Sequence, residues 1–389
     1  MKNWIREIPE TGWLVFIVFA GSALFASSQS LLLEHFFNPS SDPEQMKYGN
    51  YIIYKQAWFH LIHGNDLYAT FPNEHFDLFK YSPAFAMFFS LFTILPDVIG
   101  LPLWCLLNAF VLFYAVKALP EFNNRKKNFI LLFVALELTT SLQNSQSNAL
   151  MAGLLIFSFV LLERRKYRIA TLLLVCSVYL KLFGIIALVF FVFYPEKWKL
   201  VVYTLLWGLI LFLLPLPFTG LTQLKFLYLS WGKMLSADLS SSLGLSMMGW
   251  LSSWFHLNIP KMMVVLAGTL VTLLPLVFRK KYSMYTFRLF MMASLLIWGV
   301  IFNHKAESPT FIIAMSGVAI WFFFRKITAA NLILAILALV LTSLSSTELF
   351  MPIRDTIVDP YVLKVVPCIL IWIKILWDMT MLPIENPKS

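Results

Sequence analysis

Apolar runs of about 16 to 22 residues recur along the whole chain, separated by short breaks that carry charges or proline. A hydrocarbon layer about 30 Å thick requires roughly this many apolar residues of a helix that crosses it. In lipid, each backbone amide needs a partner within its own segment, so runs of this length can only be helices. The sequence therefore predicts an all-α fold, a polytopic bundle of transmembrane helices.

The composition excludes a soluble protein, because hydrophobic residues make up 59% of the 389 positions and charged residues only 13%. Soluble domains are nearer half apolar and a quarter charged. We expect about 12 spans in a single integral membrane domain, residues 1–389, with the first run retained as an anchor. The clearest runs are 11–33, 101–119, 128–141, 148–162, 170–180, 183–194, 200–216, 262–278, 287–302, 311–324, 333–344 and 365–379.

The lysines and arginines set the predicted orientation, because short cytoplasmic loops of membrane proteins are enriched in them. Every second break carries a basic cluster, so these breaks and both termini are predicted to be cytoplasmic. The net charge of +10 reflects this topology and attraction to anionic lipids, and nucleic-acid binding is not expected. The clusters are Lys2/Arg6, Arg125/Lys126/Lys127, Arg164/Arg165/Lys166/Arg168, Lys197/Lys199, Arg279/Lys280/Lys281 and Arg325/Lys326.

The opposite face is predicted to hold a long first outer loop, residues 34–98, which is rich in carboxylates and histidines. Its segment 82–95 is apolar but short, and counting it as a span would place Arg125 on the wrong side. We interpret it as a juxtamembrane helix. Further polar groups lie in the outer breaks 143–148 and 303–309, in a predicted loop at 219–242, and around Arg354.

Lys181 stands alone in an apolar stretch at the outer end of its span. An unpaired ammonium at membrane depth is costly, so such a residue usually faces a cavity, a carboxylate or a bound anion. Snorkelling of the side chain to the interface is the alternative.

Segment 48–96 resembles the first outer loop of the polyprenyl-phosphate-sugar-dependent glycosyltransferases of family 87, a branch of the GT-C superfamily. Later positions are also similar to the family: Gln146 and Asn148 to its G-Q-x-N break, Lys181 to a lysine after the fifth span, and Ser308-Pro309 to a late Ser-Pro. The first-loop positions that carry the resemblance are Asn50, Tyr54, Ala57, Gly64, Asp66, Leu67, Tyr68, Tyr81, Pro83, Leu95 and Pro96.

The resemblance implies a GT-C-like enzyme of a bacterial-type inner membrane. It would move a hexose, most often mannose, from a polyprenyl phosphate to a hydroxyl of a lipid or glycan acceptor on the outer face, with inversion. Two positions depart from the family: Asn50 stands where an Asp is usual, and Ser145 replaces the glycine of G-Q-x-N. An amide cannot act as a general base, so another carboxylate, a different acceptor or lost activity would follow.

Such a transfer needs a carboxylate that deprotonates the acceptor and cations that stabilise the departing phosphate. Asp77 is the first candidate for the base, because the juxtamembrane helix that follows would hold it at membrane level. The full set of candidates is Asp77, Asp66, Glu44 and Asp42 for the base, Lys181, Lys305, Lys80 and His304 for the donor phosphate, and Asn50, Tyr54, Tyr81, Gln146 and Asn148 for substrate contacts.

No cofactor is expected from the sequence, and assistance by a divalent cation is left open but not favoured. His60 and His63 are spaced to share one helix face, but no third ligand stands near them along the chain. Two other functions fit a polytopic protein: a transporter or flippase, which would show paired repeats with broken helices, and a non-catalytic scaffold of the cell envelope. The clustering of charged groups on one side favours the transferase.

Overall fold

The structure is a computed structural model that describes residues 12–38, 42, 46–75, 77–238 and 242–383. Every regular element within these ranges is helical, which confirms the all-α prediction. The α-helices are α1 (Trp13–Phe37), α2 (Gly49–Ile62), α3 (Pro83–Thr93), α4 (Asp97–Lys117), α5 (Asn124–Gln143), α6 (Asn148–Glu163), α7 (Tyr167–Leu180), α8 (Lys197–Leu213), α9 (Leu216–Asp238), α10 (Met247–Phe255), α11 (Lys261–Leu273), α12 (Tyr285–Ile301), α13 (Phe311–Phe324), α14 (Ala329–Leu337), α15 (Met351–Ile353) and α16 (Val366–Met381).

Tighter or wider helical turns join several of these helices. The 3₁₀ segments are Leu182–Phe193, Leu274–Val277, Arg279–Lys281, Ser308–Thr310, Leu344–Ser346, Glu348–Phe350 and Leu363–Val365, and the π segments are Ala338–Ser343 and Arg354–Val358.

Three helices of the described chain are long and apolar enough to cross a membrane: α1, α4 and Ala329–Ser346. Helices α8 and α9 meet the same criterion as a pair bent by 94°. Helices α6, α12 and α13 are buried along nearly their whole length, whereas α1, α8 and α11 expose many large apolar side chains. Exposed apolar surface on this scale is stable in contact with lipid and not with water, so the chain is a membrane protein.

The segment predicted to be juxtamembrane forms helix α3. Ser82 caps its first turn, since the side-chain oxygen accepts a hydrogen bond from the Phe85 amide, and Pro83 occupies the first helical position. With 11 residues the helix is only about 16 Å long, so it is too short to cross the hydrocarbon layer.

The breaks between helices gather at two ends of the bundle. At the loop end, formed by residues 46–75, 77–81, 143–148 and 303–309, the Asn50 amide donates to the Asn144 carbonyl at 3.0 Å. At the basic end, formed by residues 117–127, 163–168 and 279–288, Arg164 donates to the Ala118 carbonyl at 2.9 Å. The predicted outer breaks thus lie together, away from the predicted cytoplasmic ones.

The prediction of a loop at 219–242 is wrong over most of this range, because residues 216–238 form helix α9. Gly220, with φ of 67°, interrupts its first turn. Leu224, Leu227 and Met234 are buried along one face, at helical spacing. Its exposed side mixes lysines with large apolar residues such as Phe226. The lysines give the segment its loop-like composition.

Candidate active site

A cavity of about 960 Å³ opens at the loop end, between α1, α5 and the segments 306–309 and 346–359. This volume lies within the usual range of small-molecule sites. Apolar side chains of α1 and α5, among them Phe25, Leu33 and Leu136, form one side of it. The cavity therefore combines an apolar wall with the polar breaks of the loop end.

Charged side chains of both signs line the cavity. Within the described residues its carboxylates are Glu307 and Asp359, and its cations are Lys47 and Arg354. The Arg354 Nε lies 2.8 Å from an Asp355 oxygen and 3.8 Å from an Asp359 oxygen, so two carboxylates orient the guanidinium. A guanidinium is a planar fork of N–H donors that suits phosphate oxygens.

The Glu307 carboxylate is exposed and held in place by its neighbours. Gln146 Nε2 donates to its Oε2 at 3.1 Å, and the Thr310 backbone N–H donates to the same side chain. The Glu307 amide donates in return to the Thr310 hydroxyl at 3.2 Å, which completes a capping box around Ser308–Thr310. The local sequence Glu-Ser-Pro-Thr favours this turn, because Pro309 needs no amide donor there.

A row of hydrogen bonds links Glu307 to Lys181. Asn148 Nδ2 donates to Gln146 Oε1 at 2.5 Å and to the Pro309 carbonyl at 3.0 Å. Lys181 Nζ donates to Asn148 Oδ1 at 2.5 Å. Lys181 is half-buried at the extended break between α7 and the 3₁₀ segment Leu182–Phe193. Its ammonium is thus satisfied by a partner inside the protein.

Three of these four residues, Gln146, Asn148 and Lys181, were candidates from the sequence, and the fold brings them together. Glu307 was missed. The available signal was its position directly before the Ser308-Pro309 pair, in a break already identified as polar.

Tyr54 and Tyr81 lie beneath the 143–148 break. Their hydroxyls are 2.8 Å apart, and the Ser147 hydroxyl donates to Tyr81 at 3.2 Å. Burial, with smaller effects of Tyr81 and Glu307, raises the pKa of Tyr54 well above 10. Neither tyrosine lines the cavity, and their neutral hydroxyls instead contact the 143–148 break through Ser147.

Of the four carboxylates predicted as the base, the three that the structure describes do not line the cavity. Asp77 is exposed and pairs with Lys80 at 2.7 Å. Asp66 accepts hydrogen bonds from the Ser230 hydroxyl at 2.7 and 2.8 Å, which tie the first loop to α9. Asp42 pairs through its backbone with Asn38, and Glu44 lies outside the described residues. The structure does not bring Asp77, Asp66 or Lys80 together with Glu307.

The other substrate and phosphate candidates, Asn50, His304 and Lys305, do not line the cavity but contact or adjoin segments that do. Asn50 donates to the carbonyl of Asn144, which lines it, and an ionised Asp at position 50 could not make that bond. His304 and Lys305 are half-buried in the 303–309 break. Gly244 lies against this break: its φ is +55°, and a Cβ there would stand 2.6 Å from the His304 carbonyl oxygen.

The family model described as Glycosyltransferase family 87 matches residues 79–352, more than half of the chain. The chain belongs to glycosyltransferase family 87. This family 87 protein is therefore a membrane glycosyltransferase, which moves a sugar from a donor to an acceptor. A search among curated proteins found no match.

The matched range includes the network built by Gln146, Asn148, Lys181 and Glu307. It begins after most of the first-loop pattern, so Asn50 lies outside it. The family 87 assignment therefore rests on the part of the chain that contains the Glu307 network.

The backbone conformation at Ser145 explains why the G-Q-x-N pattern of family 87 has a glycine at this position. Its φ is +53°, a left-handed conformation that costs an ordinary residue about 1–2 kcal/mol. Its buried hydroxyl has no partner among the described residues. We expect Ser145→Gly to raise the free energy of unfolding by about 1 kcal/mol, measured by thermal unfolding in detergent.

Ser147→Gly is the matched control, because Ser147 has φ of −87° and its hydroxyl donates to Tyr81. This variant is expected to lose stability. A destabilised Ser145→Gly would contradict the conformational explanation.

Proposed function

We propose that this enzyme transfers a hexose, most simply mannose, from a polyprenyl phosphate to a hydroxyl of a lipid or glycan acceptor. The reaction takes place at the loop end, on the outer face of a bacterial-type inner membrane, in a chain of about 12 spans with cytoplasmic termini. The observation that carries the proposal is the cavity, which places a fixed carboxylate, two cations and an apolar wall around one space.

The apolar wall suits a lipid-linked donor. Phe25 lines the cavity and is 58% exposed on α1, where Ile17 and Leu32 are also exposed. A prenyl chain can lie along this face of α1 while its phosphate enters the cavity. A water-soluble nucleotide sugar would gain nothing from such a surface.

The proposed chemistry assigns one role to each charge. Glu307 accepts the proton of the acceptor hydroxyl, and the hydroxyl oxygen bonds to the anomeric carbon as the bond to the phosphate oxygen breaks. The phosphate leaves with that electron pair, and Arg354 and Lys47 stabilise its charge. Attack from the face opposite the phosphate inverts the anomeric centre.

Lys181 is proposed to act through the amides of Asn148 and Gln146 as a positioning residue for Glu307. We expect Lys181→Met to lower kcat about ten- to a hundredfold with little change in the donor KM. Steady-state kinetics with varied donor concentration measure both. A change confined to the donor KM would instead assign Lys181 to direct contact with the phosphate.

The test of the function is transfer of radiolabelled sugar from polyprenyl-phosphate-mannose to endogenous acceptors, in membranes with and without the protein. Protein-dependent label that is lost in Glu307→Gln supports the proposal. Absence of label with this donor and with the glucose and arabinose equivalents would exclude the proposed donor class.

A further inference from the structure

Two histidines and a glutamate form a compact cluster in the first loop, apart from the cavity. His60 lies in α2, and Glu74 and His75 lie in the segment that follows it. One ligand atom from each residue lies within 4.8 Å of the other two. The cluster does not include His63, because the fold brings His60 together with Glu74 and His75 instead.

The hydrogen bonds of the cluster orient its rings. His75 Nδ1 lies 2.7 Å from the Asp77 carbonyl oxygen, and because a carbonyl only accepts, Nδ1 carries the proton. The neutral ring then has its lone pair on Nε2. A histidine ligand of a metal usually donates its other N–H to a carbonyl or carboxylate in this way.

His60 is fixed by Glu74 and by an aromatic ring. Its Nε2 lies 2.8 Å from Glu74 Oε2, and Phe71 stacks on it with ring centroids 3.7 Å apart. His60 and His75 are only 5% and 3% exposed.

We propose that His60, Glu74 and His75 bind a divalent zinc ion. The ion takes the place of the proton between His60 Nε2 and Glu74, and the neutral His60 ring keeps its proton on Nδ1. Two imidazoles and one carboxylate are a zinc ligand set rather than one for magnesium or calcium. Glu74, whose side chain is 38% exposed, leaves a fourth position open to water.

The bound ion would act as a clamp on the first loop. It joins α2 to the segment that runs through Asp77 to Tyr81, where Tyr68 also donates to the Tyr81 carbonyl at 2.9 Å. The clamp thereby fixes the floor beneath the 143–148 break. This role is independent of the sugar and of the proposed base.

The test uses the full chain in detergent, purified on a tag without histidine, loaded with zinc chloride and dialysed against zinc-free buffer. We expect about one zinc per chain by mass spectrometry in the wild type, and a loss of that zinc in His60→Gln and His75→Gln. Added zinc is expected to raise the midpoint of thermal unfolding of the wild type but not of His60→Gln or His75→Gln.

His63→Gln is the matched control, since His63 ends the same helix but is exposed; it should retain the zinc. Glu74→Gln serves as a second variant that replaces a partly exposed side chain, so its loss of zinc cannot be attributed to misfolding when its size-exclusion profile is normal. Wild-type protein that retains no zinc, or a His75→Gln variant that retains it, would overturn the proposal.

Discussion

Replacing Glu307 by glutamine is expected to lower turnover by about 10²- to 10⁴-fold, the usual contribution of a general base. Glutamine has nearly the same size and its carbonyl oxygen can still accept from Gln146 and Thr310, so the fold of the 303–309 break should survive. What the variant loses is the ability to accept the proton of the acceptor hydroxyl. Single-turnover transfer with saturating donor measures the chemical step directly.

Asp359→Asn is the control for this prediction, because Asp359 also lines the cavity but lies 3.8 Å from Arg354. We expect it to weaken donor binding through the disturbed guanidinium. Asp77→Asn, outside the cavity, should retain turnover. An active Glu307→Gln together with an inactive Asp359→Asn or Asp77→Asn would move the base to that other carboxylate.

The second large effect is expected for stability, at a buried ion pair behind the cavity. Lys364 Nζ lies 3.2 Å from Glu137 Oε1, and both side chains are almost completely buried. Lys364 also donates to the hydroxyls of Ser308, at 2.6 Å, and Ser346. Lys364→Met is expected to cost about 3–5 kcal/mol, because the Glu137 carboxylate stays buried without its cation.

The double variant Glu137→Leu, Lys364→Met tests this explanation, since an apolar pair of similar volume removes both charges. It should recover most of the lost stability, as measured by thermal unfolding in one detergent. A double variant as unstable as Lys364→Met would show that the contacts to Ser308 and Ser346, rather than the buried charge, are what the fold depends on.

The helical architecture could be predicted because the composition of each segment decides whether that segment lies in lipid or in water. Each predicted run overlaps a helical segment, for example 101–119 with α4 and 311–324 with α13. The segment 82–95, predicted as a juxtamembrane helix from its short apolar run, likewise contains a helix, α3. The error at α9 arose because lysines are interspersed among the apolar residues of this helix.

The candidate site could be predicted only in part. The resemblance identified Gln146, Asn148 and Lys181, yet nothing in their spacing shows that they meet Glu307, which is distant along the chain. Asp77 seemed suitable from its neighbours, but its carboxylate pairs with Lys80 outside the cavity. No complete ligand set was apparent around His60, because Glu74 and His75 are not its neighbours along the chain.

The sequence by itself determined which segments leave water and which breaks carry the basic clusters. These properties depend on the hydrophobicity and charge of each segment. Only the tertiary structure decided that Glu307 faces the cavity and that His60 meets Glu74 and His75. Adjacent positions on a helix point about 100° apart, so the meeting of distant side chains depends on how whole helices pack against one another.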